Sequence, residues 1–269
     1  VVHPVAVFRF HGDIRQFLKP GNTRRALSGL SSLREARSRG EITVPAARSA
    51  AIKDEIEAIG VPHTEVGRIL MNSAPCGFDT PLAPGAVYDV HPLAPPVDVT
   101  TPHPLRPTPF PGVRFIVDVN VRQLGTLLRL LGCDAAFDNA WEDDEIAHRA
   151  EKERRIVLTR DRALLHRSAI IWGRLIRSAA PDDQLLEVLR LFGLTGPFSP
   201  FTRCLRCNTP LERVPKADII HRLQPLTKKH HTTFHICPTC QRIYWPGTHR
   251  DAMLERLERL GIRVDGDDG

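Results

Sequence analysis

The chain has 269 residues, 42% of them apolar, and a formal charge of +6. That is enough apolar material for about two domains of ordinary size and too much chain for one small module. No run approaches the roughly 18 to 20 apolar residues of a membrane span. The charge favours an anionic partner and is unevenly placed: from Arg203 to Arg263 twelve Lys or Arg stand against five Asp or Glu, whereas acids and bases nearly balance from Phe115 to Arg190. A positive far end beside a locally acidic segment suits a protein that attracts phosphates in one place and binds a cation in another.

In chain order, Val5 to Phe10 alternates as a strand. Ile52, Ile56 and Ile59 make one helical stripe that Gly60 and Pro62 end. Short strands fit Arg68 to Met71 and Ala86 to His91, with turns at Asn72 to Gly77 and at Pro84-Gly85. One helix on a small mixed sheet buries these stripes in about 90 residues. The order resembles the ubiquitin-like β-grasp domains related to sulfur carriers, over residues 1–91, and Leu70-Met-Asn-Ser-Ala-Pro75, Leu82-Ala-Pro-Gly85 and Tyr88-Asp-Val-His-Pro92 are similar to their final turns. Those carriers end in a free Gly-Gly; here the chain runs on, so the resemblance implies docking to a protein partner or regulation. Eight prolines among the twenty residues from Pro92 to Pro111 make 92–112 an extended, stiff spacer.

Residues 113–198 alternate strand and helix. Val113 to Asp118 is an apolar strand closing on a carboxylate, and Leu124, Leu127, Leu128 and Leu131 share a helix face. Asp134 to Asp138 is a short strand, Asp143 to Glu153 a helix, Arg155 to Asp161 a third strand and Ile170 to Ile176 a fourth. Asp182 and Asp183 open a last helix. The alternation predicts an α/β fold, a parallel sheet flanked by helices, with ligands off the carboxyl ends of the strands. Asp118, Asp161 and Asp182 or Asp183 are expected to meet there and to need a hard cation, Mg²⁺ or Mn²⁺, which lowers the pKa of a water and stabilises a phosphodiester transition state. Helix-start acids are also ordinary caps, and that reading stays open for Asp143, Asp144 and Asp183. Asn120 can orient a water, a phosphate or its own loop.

Cys204, Cys207, Cys237 and Cys240 form two C-x-x-C knuckles, while Cys76 and Cys133 stand alone. With no leader pattern before Val5, a reducing cytoplasm is the expected setting, and the knuckles read as ligands of a structural zinc. Residues 199–264 are thus expected to form a zinc ribbon with a closing helix over Ala252 to Leu260, and 265–269 an acidic frayed tail. Around the ribbon, Arg206, Lys228, Lys229 and Arg242 lie among Phe234, Tyr244 and Trp245, a mixture that can track an RNA backbone and stack its bases. A buried ribbon core is the competing account of Phe234 and Trp245. Arg122, Arg129 and Arg160 could clamp phosphates at the acidic site.

Phe115-Ile-Val-Asp-Val-Asn120, Leu124-Gly-Thr-Leu-Leu-Arg-Leu-Leu-Gly132, Arg155-Ile-Val-Leu-Thr-Arg-Asp161 and the knuckles followed by Ile243-Tyr-Trp-Pro-Gly-Thr-His249 together resemble the Mut-seven C-terminal ribonuclease-like family, PIN-like nucleases with an appended zinc ribbon. The resemblance implies that Asp118 is the first-strand acid and Asp161 the acid after Thr-Arg, that Asp143 or Asp144 is the helical acid, and that Asp182 or Asp183 is the last. It implies a Mg- or Mn-dependent ribonuclease, with endonucleolytic cleavage expected, and with Arg160, Arg206, Lys228, Lys229, Arg242 and Tyr244 on RNA; tRNA or the ribosome are candidate partners. Two alternatives stay open: a non-catalytic RNA- or ribosome-associated binding protein of the same fold, and a protein-interaction adaptor acting through the β-grasp domain.

Overall fold

The structure is a computed structural model and describes residues 4–18, 39–46 and 50–265. It divides into two compact units, Val1–Val113 with Glu142–Leu175, and Arg114–Trp141 with Ile176–Gly269.

In the first unit, strands β1 (Val5–Phe10), β2 (Glu41–Pro45), β3 (Val66–Met71), β4 (Ala74–Pro75) and β5 (Val87–Pro92) form one sheet in the order β2-β1-β5-β3-β4. β1 lies parallel to β5, and the other neighbours are antiparallel. Alternation decides the faces: Ala6, Phe8 and Phe10 point inward with Ile42, Val44, Tyr88 and Val90. Phe8 stacks on Tyr88 with ring centroids 4.9 Å apart. Helix α1 (Ile52–Ile59) turns Ile52, Ile56 and Ile59 into the core and stops at Gly60, whose φ of 114° favours a residue without Cβ. Asn72 and Ser73, both left-handed with φ of 50° and 73°, make the tight turn between β3 and β4. This is the β-grasp arrangement expected, with β2 added, a short strand that the sequence reading did not assign.

The proline-rich segment differs from a free spacer. Leu93, Val97, Val99, Leu105 and Phe110 are buried, and so is Arg106. Prolines stiffen the path, but an apolar residue between every few of them anchors it to the body of the unit. Also in this unit are helix α2 (Asp143–Glu153), strand β6 (Ile156–Thr159) and strand β7 (Gly173–Leu175), the two strands paired in parallel. α2 packs on β6 through Ile146, Ala147 and Ala150, and ends at Arg154 in a left-handed turn.

In the second unit, strand β8 (Phe115–Val117) lies parallel to β9 (Ala135–Ala136), joined by helix α3 (Arg122–Leu130). α3 packs against helix α4 (Pro181–Leu191). Gly125 on α3 is required by close approach, since a Cβ there would stand 2.6 Å from the Phe137 ring. The ribbon follows as a three-stranded antiparallel sheet, β10 (Glu212–Arg213), β11 (His235–Ile236) and β12 (Ile243–Tyr244), in that order. Helices α5 (Lys216–Ile219) and α6 (Pro225–His230) fill the stretch between the knuckles, over a small core of Ile219, Leu223 and Phe234. Phe234 is therefore a core residue and not a stacking platform.

The closing helix α7 runs from Thr248 to Arg259, starting earlier than expected. After it the chain returns to the start of the ribbon: Phe198 N–H donates to Arg263 O, and Asp265 N–H to Phe198 O. Ser199 Oγ also donates to Asp265 Oδ2 at 2.6 Å. Asp265 is thus tied down and not the start of a frayed tail; the rest of that expected tail, 266–269, lies outside the described residues.

Candidate functional site

The knuckles carry the best-defined chemistry. The four sulfurs of Cys204, Cys207, Cys237 and Cys240 lie within 4.8 Å of one another, the one such group of metal-ligating side chains among the described residues. Cys204 and Cys240 Sγ are 3.6 Å apart, and Cys207 and Cys237 Sγ 3.3 Å. Tetrahedral zinc with Zn–S bonds of about 2.3 Å needs sulfurs roughly 3.8 Å apart, so the donor set fits that ion.

Both knuckles are built by the same turn. The residue after each second cysteine is left-handed, Asn208 at φ 68° and Gln241 at φ 58°. Its N–H returns to the first cysteine: Asn208 N–H to Cys204 O at 2.9 Å, Gln241 N–H to Cys237 O at 2.8 Å. Asn208 also binds the knuckle to the start of β9, accepting from Ala135 N–H at 3.1 Å and donating to Asp134 Oδ1 at 2.7 Å.

Charge inside the set is unequal. Burial pushes the Cys204 thiol up, but the Tyr244 hydroxyl and the backbone N–H groups of Cys207 and Arg206 outweigh it and hold it down to about 6. Burial, together with its thiol neighbours, pushes Cys240 up to about 12. The protein by itself thus stabilises some thiolates and not all four, which a dication at their centre would do.

Several residues expected at an RNA surface are structural. Tyr244 uses its hydroxyl on Cys204 Sγ at 3.1 Å and on the N–H of Leu205 at 3.2 Å, so its polar end is spent on the knuckle. Arg129 is not a phosphate clamp. It is 1% exposed, donates to the carbonyls of Ala135, Leu205 and Arg206, and lies 3.6 Å from the Phe137 ring centroid. Arg206, Lys229 and Arg242 are exposed, as is Arg160, while Lys228 is half-buried in the last turn of α6.

Each acid is placed by its own unit. In the second, Asp118 follows β8 and is buried at 6% exposure, accepting from Asn120 Nδ2 at 2.6 Å through Oδ2. Asp182 does not stand open: Arg256 of α7 donates to its Oδ1 from Nε at 2.9 Å and from Nη2 at 2.6 Å. Asp183 beside it is exposed in the first turn of α4. In the first unit, Asp161 follows Thr159 and Arg160 after β6. Its N–H donates to Thr159 Oγ1 at 2.8 Å, and its Oδ1 accepts from Ala163 N–H at 2.7 Å, so one carboxylate oxygen closes a turn. Asp143 and Asp144 open α2, and Arg167 takes Asp144 directly, with Asp143 at 3.9 Å.

The reading of the sequence missed a polar core in the first unit. Glu65 is fully buried, accepting from Arg174 Nη1 at 2.8 Å and from Leu175 N–H at 2.6 Å. Arg106 donates to the carbonyls of His63, Thr64, Val66 and Ile171 and lies 4.3 Å from the Trp172 ring centroid. His63 bonds Glu57 through Nδ1 at 2.5 Å and the Ile170 carbonyl through Nε2 at 2.8 Å. No local pattern marks these residues, because apart from the Glu57–His63 pair, six residues apart, each partner lies 40 or more residues along the chain.

Comparison with curated proteins and with solved structures returned no match. Family models do match: the Mut7-C ubiquitin model over residues 30–98, and the Mut7-C RNAse domain model over residues 113–257. The second match covers more than half of the chain and includes β8, Asp118, Asp161 and all four knuckle cysteines, so the chain belongs to the Mut7-C RNAse domain family, with a Mut7-C ubiquitin-like domain in front.

Proposed function

We propose that this protein is a metal-dependent ribonuclease of the cytoplasm that hydrolyses RNA phosphodiester bonds endonucleolytically. The observation that carries the reading is Asp118, a carboxylate kept almost wholly from solvent where an entirely buried strand ends, inside the segment matched by the RNAse-domain model. A buried carboxylate at a strand end adds little to packing and is costly to desolvate, so a ligating role accounts for it better than a structural one.

Carboxylate oxygens, which Asp118 offers in one unit and Asp161 in the other, are the donors a hard cation takes; Mg²⁺ or Mn²⁺ would supply an acidified water and charge stabilisation at the phosphodiester. The chain's own residues prepare the site. Asn120 fixes the Asp118 carboxylate through its 2.6 Å hydrogen bond, and Thr159 fixes the turn that presents Asp161. Asp183, exposed at a helix start, is the better candidate of its doublet, because Asp182 is engaged by Arg256. Asp143 is the better candidate of the other, because Asp144 holds Arg167 more closely. Arg160, Arg206, Lys229 and Arg242 draw in the phosphate backbone.

A second reading, an RNA- or ribosome-associated binding protein without catalysis, is favoured by the engagement of Asp144 and Asp182 with arginines. It needs only the basic surface. The ubiquitin-like domain points to a protein partner as well, although its His63–Val66 stretch is already occupied by residues 170–175 of the same unit. The test is cleavage of single-stranded and structured RNA with Mg²⁺ or Mn²⁺. Asp118→Asn and Asp161→Asn should each abolish cleavage and leave RNA binding intact. Full activity in both variants sinks the nuclease site, and binding without cleavage by the wild type selects the second reading.

A further inference from the structure

The second unit contains a cavity of about 600 Å³, framed by the Phe201 loop, the end of β12 and the start of α7. That volume lies in the range of small-ligand sites, roughly 300 to 1,000 Å³. Its walls include the Phe201, Tyr244 and Trp245 rings, with His235, His249 and Arg250 supplying polar or basic groups. Trp245 is 39% exposed, one of the few large apolar side chains so placed among the described residues. The Arg250 guanidinium lies 5.2 Å from the Phe201 ring centroid. The indole lies close over Gly247, where a Cβ would stand 3.3 Å from Trp245 Nε1, a tight contact that a small shift would relieve. Phe201 is held by the hydrogen bond from its own N–H to Leu130 O at 3.1 Å.

We propose that this cavity binds an unpaired nucleobase of single-stranded RNA, stacked on Trp245, with the adjoining phosphate at Arg250 and His249. The proposal rests on the RNA reading above and deepens it by assigning a site and a strand state. Charge complementarity selects the occupant: Arg250, with His235 and His249 beside it, is the cation of the lining, and no Asp or Glu among the described residues lines the cavity, so an anionic ligand is drawn in. Aromatic walls select the strand state, because a base presents a π-face only when it is unstacked from its neighbours, and duplex RNA hides those faces. The Tyr244 hydroxyl is already spent on the knuckle, which fixes its ring as a wall and ties the cavity to the folded ribbon.

The test uses the full zinc-loaded chain, without added Mg²⁺ or Mn²⁺ so that nothing is cleaved. Fluorescence anisotropy compares a short oligoadenylate, the same oligomer with abasic positions, and a blunt RNA duplex. Stacking of one base should make the oligoadenylate bind about 5- to 150-fold more tightly than the abasic strand. Trp245→Ala should remove that preference, and Trp245→Phe should keep most of it, both at unchanged zinc content. Equal binding of intact and abasic strands, or a preference that survives Trp245→Ala, overturns the proposal; the second result would return the cavity to a peptide or another ligand. The two readings fail separately. A base preference with no cleavage under Mg²⁺ or Mn²⁺ removes the nuclease and supports this site, while cleavage without a base preference removes this site and leaves the nuclease standing.

Discussion

Replacing Arg106 by Met tests whether the proline-rich segment is part of the first unit's core. The substitution keeps much of the side-chain volume over Trp172 and removes every side-chain donor. Arg106 serves the carbonyls of Ile171 and Val66 at 2.9 Å, of His63 at 2.7 Å and of Thr64 at 3.2 Å. An orphaned buried acceptor costs about 1–3 kcal/mol, so four taken separately would cost about 4–12 kcal/mol. Two effects reduce that sum. Burial pulls the guanidinium pKa down to about 9 against the opposing pull of Glu65, so the wild-type charge is itself expensive, and removing it recovers part of the cost. The carbonyls also share one donor group and are not independent. The net expectation is a loss of about 3–5 kcal/mol, the usual cost of breaking a buried charged contact, out of a total of about 5–15 kcal/mol for a domain. Urea unfolding followed by circular dichroism measures it. A loss below about 1 kcal/mol at an unchanged slope with urea would show that the segment contributes no more than a surface strap and would refute the reasoning.

Glu57 gives a pH prediction. Burial raises its carboxyl pKa, but the His63 hydrogen bond and the charges of His63, Lys53 and His166 outweigh burial, leaving it below the ordinary 4.5. The unfolded chain therefore binds the proton first as pH falls, and the stability from this group is present above about pH 4.5 and lost as pH drops through the lowered folded value. Glu57→Gln should flatten that acid limb, and an unchanged stability profile would show that the pair contributes nothing. The knuckles should copurify with about one zinc ion per chain, and Cys204→Ser should unfold the ribbon, with metal analysis and protease resistance as the readouts. Arg206→Ala combined with Arg242→Ala should weaken RNA binding and lower the log-log salt slope by roughly 0.7 to 0.9 for each lost phosphate contact. An unchanged slope would place the backbone contacts elsewhere.

Legibility in the sequence followed the range of the interaction. The alternation of Val5 to Phe10, the isoleucine stripe of α1 and the helix starting at Asp143 were readable because strand and helix periods act over a few residues. The cysteine knuckles were readable for the same reason, since a C-x-x-C turn carries its geometry within itself. Asp118 could be placed at the end of an apolar strand from its neighbours alone. Only the tertiary structure showed that Asp182 belongs to Arg256, that Tyr244 spends its hydroxyl on Cys204, and that Arg129 holds the knuckle backbone. Glu65 illustrates the limit, because the Arg174 that neutralises it is 109 residues away. Local spacing determines which backbone conformation a segment adopts and which face it buries. The choice of partner for a buried or half-buried polar side chain is made by whichever group the folded chain brings within hydrogen-bond reach, and no short window of sequence contains that information.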